Sequence, residues 1–340
     1  MKAFQITGKN EYGMKQVSHP TVKADEVIVK MRASGICHSD YLLVDGEYVL
    51  PFSYPVTPGH EWAGEIAEVG SQVNGFEVGD RVIGECAYGC GQCKMCLSGD
   101  PINCINPIHF GFTCGTEGGA AQEYFKVTPR ILHKLPDEID YKTGSLVEPF
   151  TVAYWGFEAN TRVDPSDTVL ISGGGNIGLC ALAVAKGKGC RTIVLEGMPL
   201  RADKARSMGA DVVLNPFDKD VIEQVTDITK GGADFAMETA GVAGSLKNMF
   251  DYVRSGGSIG FIGINFDTVE VQMGKIMSKA LNIKGTCGSP FIWEKALRFL
   301  ANSKVDITKI HTHEFQLSDA EKAFEVAKQP DKAIKVVLLN

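Results

Sequence analysis

Apolar and polar positions alternate along residues 26–31 (Glu-Val-Ile-Val-Lys-Met) and 65–69 (Glu-Ile-Ala-Glu-Val). That alternation predicts half-buried strands, and residues 80–84 read the same way. Glycine and proline break the pattern at short intervals, as at Pro55, Pro58 and Gly59. Residues 1–150 are therefore expected to form a mostly β domain with long loops. The pattern then changes. Residues 167–172 are a short, continuous apolar run, the mark of a strand buried on both faces. A glycine-rich turn follows, then a helical stretch over 176–188. Strands are predicted at 191–196, 211–215, 234–238, 258–262 and 281–284, with helices at 200–208 and 218–230. Strands alternating with helices imply an α/β fold with a doubly wound parallel sheet over 151–287. The remaining segment, 288–340, predicts helices at 293–302 and 318–328 and a closing strand at 333–339. No internal repeat and no low-complexity segment interrupts this order.

Composition narrows the picture a little. At about 150 residues per domain, 340 residues suggest two domains. The net charge of −7 comes without runs of like charge, so there is no basic face for nucleic acid. No apolar stretch is long enough to span a membrane, and the N-terminus lacks a signal-peptide pattern. A cytoplasmic protein is expected, in a compartment that keeps thiols reduced. The ten cysteines then need a reason other than disulfides, and five of them fall between positions 86 and 104. Such clustering points to metal.

Three groups of residues carry candidate chemistry. Gly173, Gly175 and Gly178, with Asn176 and Ile177 between the last two, fit the dinucleotide pattern G-x-G-x-x-G after a predicted strand and at the start of a predicted helix. The first glycine permits the turn, the second lets backbone approach a pyrophosphate, and the third lets helix and strand pack closely. Anions are favoured at the free N–H groups of the helix start. Glu196 ends the second predicted strand, where a carboxylate accepts from both ribose hydroxyls and repels a 2′-phosphate. NAD is favoured over NADP, although Arg201, five residues on, pulls the other way. The second group is Cys90, Cys93, Cys96 and Cys104, whose spacing can close a zinc tetrahedron with no open position, a structural site. The third is dispersed: Cys37 with Ser39 and Asp40, His60 with Glu61, and Glu148. One thiolate, one imidazole and one or two carboxylates suit a catalytic zinc that keeps a place for water or substrate.

Taken together, these motifs resemble the zinc-containing medium-chain dehydrogenase/reductase family over essentially the whole chain. The resemblance rests on Gly-Ile-Cys-His-Ser-Asp at 35–40, Pro-Gly-His-Glu at 58–61, the four-cysteine loop, Glu-Pro at 148–149 and the glycine turn. It implies a GroES-like β-rich catalytic domain (1–150, completed by 288–340) holding both zincs, and a Rossmann NAD-binding domain (151–287). Typical alcohol dehydrogenases of the family place a cysteine where this chain has Glu148, so the branch resembled is that of sorbitol and related polyol dehydrogenases. Carried over, Cys37, His60 and Glu61 bind the catalytic zinc, with Glu148 on the metal or on its water. The sequence leaves open which glutamate is the third ligand. The implied reaction is hydride transfer from a secondary alcohol of a polyol, cyclitol or sugar acid to NAD, with two zincs per chain and the proton leaving through Ser39. A simple-alcohol or threonine dehydrogenase is the alternative within the family, and a non-catalytic NAD- and zinc-binding module the alternative outside it. Two positions depart from the family pattern: Leu42 stands where many relatives carry a proton-relay histidine, and His38 where polyol dehydrogenases often carry glycine. Tyr41, Phe52, Phe112, Trp155 and the region of Ser289 are candidates for lining a substrate pocket. No membrane or nucleic-acid partner is expected, and a homodimer or homotetramer is.

Overall fold

The computed structural model describes residues 1–116, 118–160 and 163–340. The chain forms two compact units, residues 1–148 with 311–340, and residues 149–310.

The first unit is built on a seven-stranded sheet centred on Val27–Ile36. One edge of this strand pairs antiparallel with Glu61–Val69 along nearly its full length. The other edge is divided. Residues 27–30 pair with Tyr124–Val127, and residues 33–36 pair with Lys335–Leu339 near the C-terminus. The strand is long and almost wholly buried. It therefore offers backbone donors and acceptors that a single neighbour on that edge leaves unmet, and the chain's end supplies the rest. His311–Gln316 then adds in parallel to Lys335–Leu339. Phe4, Trp62, Phe110, Phe125 and Phe324 form much of the buried core.

The second unit carries six parallel strands. Their order across the sheet is Val212–Leu214, Arg191–Leu195, Thr168–Ser172, Ala233–Glu238, Val253–Phe261 and Asn282–Gly285. Counting strands along the chain, this is 3-2-1-4-5-6, the doubly wound order, which reverses between Thr168–Ser172 and Ala233–Glu238. Apolar residues such as Leu170, Ile193, Ala236 and Ile259 fill its core, and the central strands Thr168–Ser172 and Arg191–Leu195 read as nearly continuous apolar runs.

The structure differs from the sequence-based reading at two points. Residues 288–310, expected with the tail, group with the second unit. The reason is the helix Trp293–Asn302, which buries Trp293, Ala296, Leu297 and Leu300. Its Phe299 ring stands 5.0 Å from Tyr154 and 6.3 Å from Phe150, both in that unit. The helices His38–Val44, Val147–Asn160 and Ala243–Tyr252 were not anticipated. Val147–Asn160 is apolar on nearly every face and carries Pro149 and Gly156, so it shows no helical period. Pro149 is tolerated because it lies in the first turn, where an N–H has no partner to lose.

Candidate active site

In the second unit the glycine turn has the geometry a dinucleotide needs. Gly173 adopts φ +100°, open to glycine alone at low cost. A Cβ on Gly178 would stand 1.9 Å from the Gly173 carbonyl oxygen, so only glycine lets the helix Asn176–Gly187 start this close to the strand. Gly175 caps that helix with no side-chain hydrogen bond, which leaves the first N–H groups to an incoming anion. Glu196 sits beside the turn. Its Oε2 accepts from the Gly174 N–H at 2.7 Å and its Oε1 from the Met198 N–H at 2.7 Å. Arg201 reaches over the same turn, with Nη1 3.8 Å from a Cβ placed on Gly175. Arg201 Nε and Asn176 Oδ1 are buried without a hydrogen-bond partner among the described residues. Unmet polar atoms grouped around a glycine cradle fit a polar, anionic cofactor.

Sequence reasoning missed Glu238, which ends the fourth strand. Its carboxylate accepts from the Ala240 and Gly241 N–H groups at 3.0 Å and from Ser245 Oγ at 2.7 Å, and burial pushes its pKa up. It pins the turn at the point where the strand order reverses. The available signal was an acidic residue closing an apolar run, the same signal that marked Glu196.

In the first unit, the ligand atoms of Cys90, Cys93, Cys96 and Cys104 all lie within 4.8 Å of one another. The Cys93 sulfur is 3.6 Å from that of Cys96 and 3.8 Å from that of Cys104. Backbone N–H groups of Cys96 and Ile105 favour the thiolate of Cys93 and bring its pKa down to about 6. The Cys104 sulfur accepts from the N–H groups of Cys90 and Asn106. A soft, preorganised four-sulfur set of this kind fits zinc. Cys86 stands outside the group.

The dispersed residues also converge. Ligand atoms of Cys37, His60 and Glu61 lie within 4.8 Å of one another. Cys37 caps the helix His38–Val44 and donates its N–H to Asp40 Oδ2 at 2.9 Å. Asp40 Oδ1 faces His60 Nδ1 at 3.5 Å, with both atoms buried. Ser39 Oγ is 3.6 Å from the Cys37 sulfur. Burial disfavours a charged imidazole at His60, yet Cys37 and Asp40 outweigh it and raise the pKa well above the ordinary value. The surroundings thus call for positive charge at this spot, which a cation would supply. Glu61 is 1% exposed and ion-paired to Lys335. Glu148 is also buried, which raises its pKa, with His60 and Glu61 close enough to act on it electrostatically and the Cys86 thiol hydrogen-bonded to it. It lies outside the three-residue group.

Of the candidate pocket residues, Phe112 packs on a candidate ligand, its ring 4.6 Å from that of His60. Tyr48 stacks on Phe112 at 4.4 Å and its hydroxyl meets His109 Nδ1 at 2.6 Å, a polar pair absent from the sequence-based list. Tyr41 is committed to the core, donating to the Phe324 carbonyl at 2.7 Å. Phe52 packs edge-on against Tyr48 and Tyr54. In the second unit, Ser289 accepts from Thr151 at 2.9 Å and from Trp293 Nε1 at 3.1 Å, and Trp155 is half-buried. No helix among the described residues is long and apolar enough to cross a membrane.

Comparison with known proteins places these features in context. Residues 23–137 match the alcohol dehydrogenase GroES-like domain, and residues 176–302 match the zinc-binding dehydrogenase family. A sorbitol dehydrogenase of Halalkalibacterium halodurans is 34% identical over 99% of each chain. An L-threonine 3-dehydrogenase of Idiomarina loihiensis is 32% identical, over 98% of this chain and 99% of its own. Among solved structures, 2R,3R-butanediol dehydrogenase from Bacillus subtilis superposes with a TM-score of 0.91 at 27% identity, over 100% of this chain and 99% of that one.

Proposed function

Because the chain belongs to the zinc-containing medium-chain dehydrogenase/reductase family, we propose that it oxidises a secondary alcohol of a polyol, cyclitol or sugar acid, with NAD as hydride acceptor. The observation that carries this reading is the convergence of Cys37, His60 and Glu61 into one largely buried group, with a carboxylate, Glu148, where simple alcohol dehydrogenases commonly carry a cysteine as third ligand. Cys37, His60 and Glu61 would hold a catalytic zinc, with Glu148 on the metal or on its water. Cys90, Cys93, Cys96 and Cys104 would hold a second, structural zinc. A zinc bound in the first group supplies Lewis acidity that lowers the pKa of an alcohol.

The remaining work falls to the chain's own residues. Ser39 Oγ, beside Cys37, accepts the alcohol proton and passes it towards solvent, a role that Leu42 cannot share. Asp40 keeps the His60 ring oriented through Nδ1. In the other unit, Glu196 binds the ribose hydroxyls and disfavours a 2′-phosphate, while Arg201 and the helix start at Asn176 receive the pyrophosphate. A homo-oligomer is in keeping with the exposed apolar side chains Ile264, Phe266, Met273 and Met277, on the segment that leads into the sheet-edge strand Asn282–Gly285.

The test follows NADH absorbance while zinc-loaded protein meets sorbitol, xylitol, inositols, aminocyclitols, sugar acids, threonine and simple alcohols, with NAD and with NADP. Selective turnover of one polyhydroxylated class is expected. It should fall by roughly a thousandfold in Cys37→Ala, as losing several kcal/mol of transition-state stabilisation implies. Preference for threonine would move the reading to the second one that the 32% identical relative supports. Zinc-loaded protein that binds NAD yet turns over no alcohol in either direction would remove it.

A further inference from the structure

Lys335 is among the largest fully buried side chains, at 2% exposure. Burying an ammonium is costly unless it is paired and hydrogen-bonded. Here the next two strands beyond its own supply the partners. Lys335 lies on Lys335–Leu339, and its Nζ donates to the Ile36 carbonyl at 3.0 Å on the neighbouring strand Val27–Ile36. It also donates to Glu61 Oε2, on the next strand over. Gly35 pairs with Glu61 across the sheet, and a Cβ there would come within 2.4 Å of that same oxygen. The glycine keeps the path of the carboxylate clear. Glu61 belongs at the same time to the group of three candidate ligands. One carboxylate is thus claimed by a fixed internal cation and offered to an exchangeable one.

We propose that Lys335 is a positioning residue for the metal centre: it holds Glu61 by Oε2 and so makes the ammonium and the metal share one carboxylate. The inference rests on the reading of Cys37, His60 and Glu61 as metal ligands. Sharing has a definite sign. A metal bound at Cys37 must compete with Lys335 for the charge of Glu61 and sits close to a like charge. Its affinity is therefore lower than the three ligands alone would give, and less ligand charge reaches it. A more electrophilic, more exchangeable centre is the result. Replacing Lys335 with a neutral side chain frees Glu61 for the metal.

The test uses full-length protein stripped of metal and titrated with Co(II) against a chromophoric chelator. The four-sulfur site reports through its intense thiolate bands, and the second site through a distinct visible spectrum. Lys335→Met should bind the second cobalt at least tenfold more tightly than the wild type, with a shifted visible spectrum. Lys335→Arg should stay within threefold of the wild type. Lys335→Gln keeps a donor for the Ile36 carbonyl and carries the same comparison should Lys335→Met fail to fold. Equal second-site affinity and spectrum in wild type and the neutral variants would overturn the inference, even with a lower melting temperature, since that would be a purely structural lysine. A wild-type protein that takes up cobalt only in the four-sulfur site would overturn the metal reading itself, and this inference with it.

Discussion

Glu196 is held by two backbone N–H groups, so its carboxylate is oriented by the turn it serves. Removing it would delete the charge proposed to discriminate against a 2′-phosphate and would free those two donors. Glu196→Ala is expected to raise KM for NAD by roughly tenfold or more, the scale of one charge-assisted hydrogen bond. It should also narrow the gap between NAD and NADP. Steady-state kcat/KM with each cofactor checks both, and an unchanged ratio would deny Glu196 its role. His60 shows the same logic in the other unit. A single side chain is balanced between burial, which opposes charge, and Cys37 and Asp40, which demand it. Asp40→Asn keeps the shape and removes the demand. Its expected effect is weaker metal retention by about 10- to 100-fold, read by zinc content after graded chelation.

At the level of elements, the helix Asn176–Gly187 is positioned by a glycine that admits no substitute. Gly178→Ala must push the helix off the Gly173 carbonyl, because the new Cβ would overlap it. Overpacking of this kind costs about 1–3 kcal/mol, and the displaced helix start no longer meets a pyrophosphate. A lower melting temperature together with lost NADH fluorescence enhancement is expected; normal NADH binding would contradict the assigned approach. The four-cysteine loop is a separate element with a separate prediction. Its regular structure is the short helix Lys94–Leu97 and the single turn Pro101–Asn103, neither of which holds a fully buried residue. On the proposed reading, order there depends on the structural zinc rather than on a core. Cys96→Ser should open the loop to limited proteolysis while leaving NADH binding in place, with cleavage sites read by mass spectrometry.

On the scale of the whole chain, stability should fall in mild acid for an identifiable reason. Burial first, and the Lys335 ammonium opposite it on the next strand second, hold His311 down to a pKa of about 4, against 6.5 in the unfolded chain. A histidine with a depressed folded pKa binds its proton more readily when unfolded. Its stabilising contribution is therefore complete above pH 6.5 and drains away as pH falls towards 4. The full shift corresponds to about 3 kcal/mol at most. His311→Gln should flatten the melting temperature between those two pH values, and an unchanged acid slope would point to other groups.

The glycine turn and the four-cysteine loop were legible in the amino-acid sequence because their chemistry is local. Gly173 to Gly178 is one turn, and the four thiols lie within one loop, so residue type and spacing define them without long-range contacts. The central parallel-sheet strands Thr168–Ser172 and Arg191–Leu195 were legible for a similar reason, being apolar runs followed by a glycine or an acid. Periodicity failed where burial surrounds an element. Val147–Asn160 has no polar face to mark a period. It failed, too, where an element's partner lies far along the chain. Residues 288–310, with their predicted helix, read as part of the tail that completes the first domain until Phe299 is placed against Tyr154. The second constellation needed the tertiary structure most. Sequence supplied Cys37, His60, Glu61 and Glu148 as donors, but strand register decides which of them meet. Gly35 stands opposite Glu61, and Val336 opposite Ile36, so a lysine 274 residues away from Glu61 reaches its carboxylate. Side-chain chemistry is written in the sequence; which buried charges must share a partner is set by the pairing of strands that the folded core imposes.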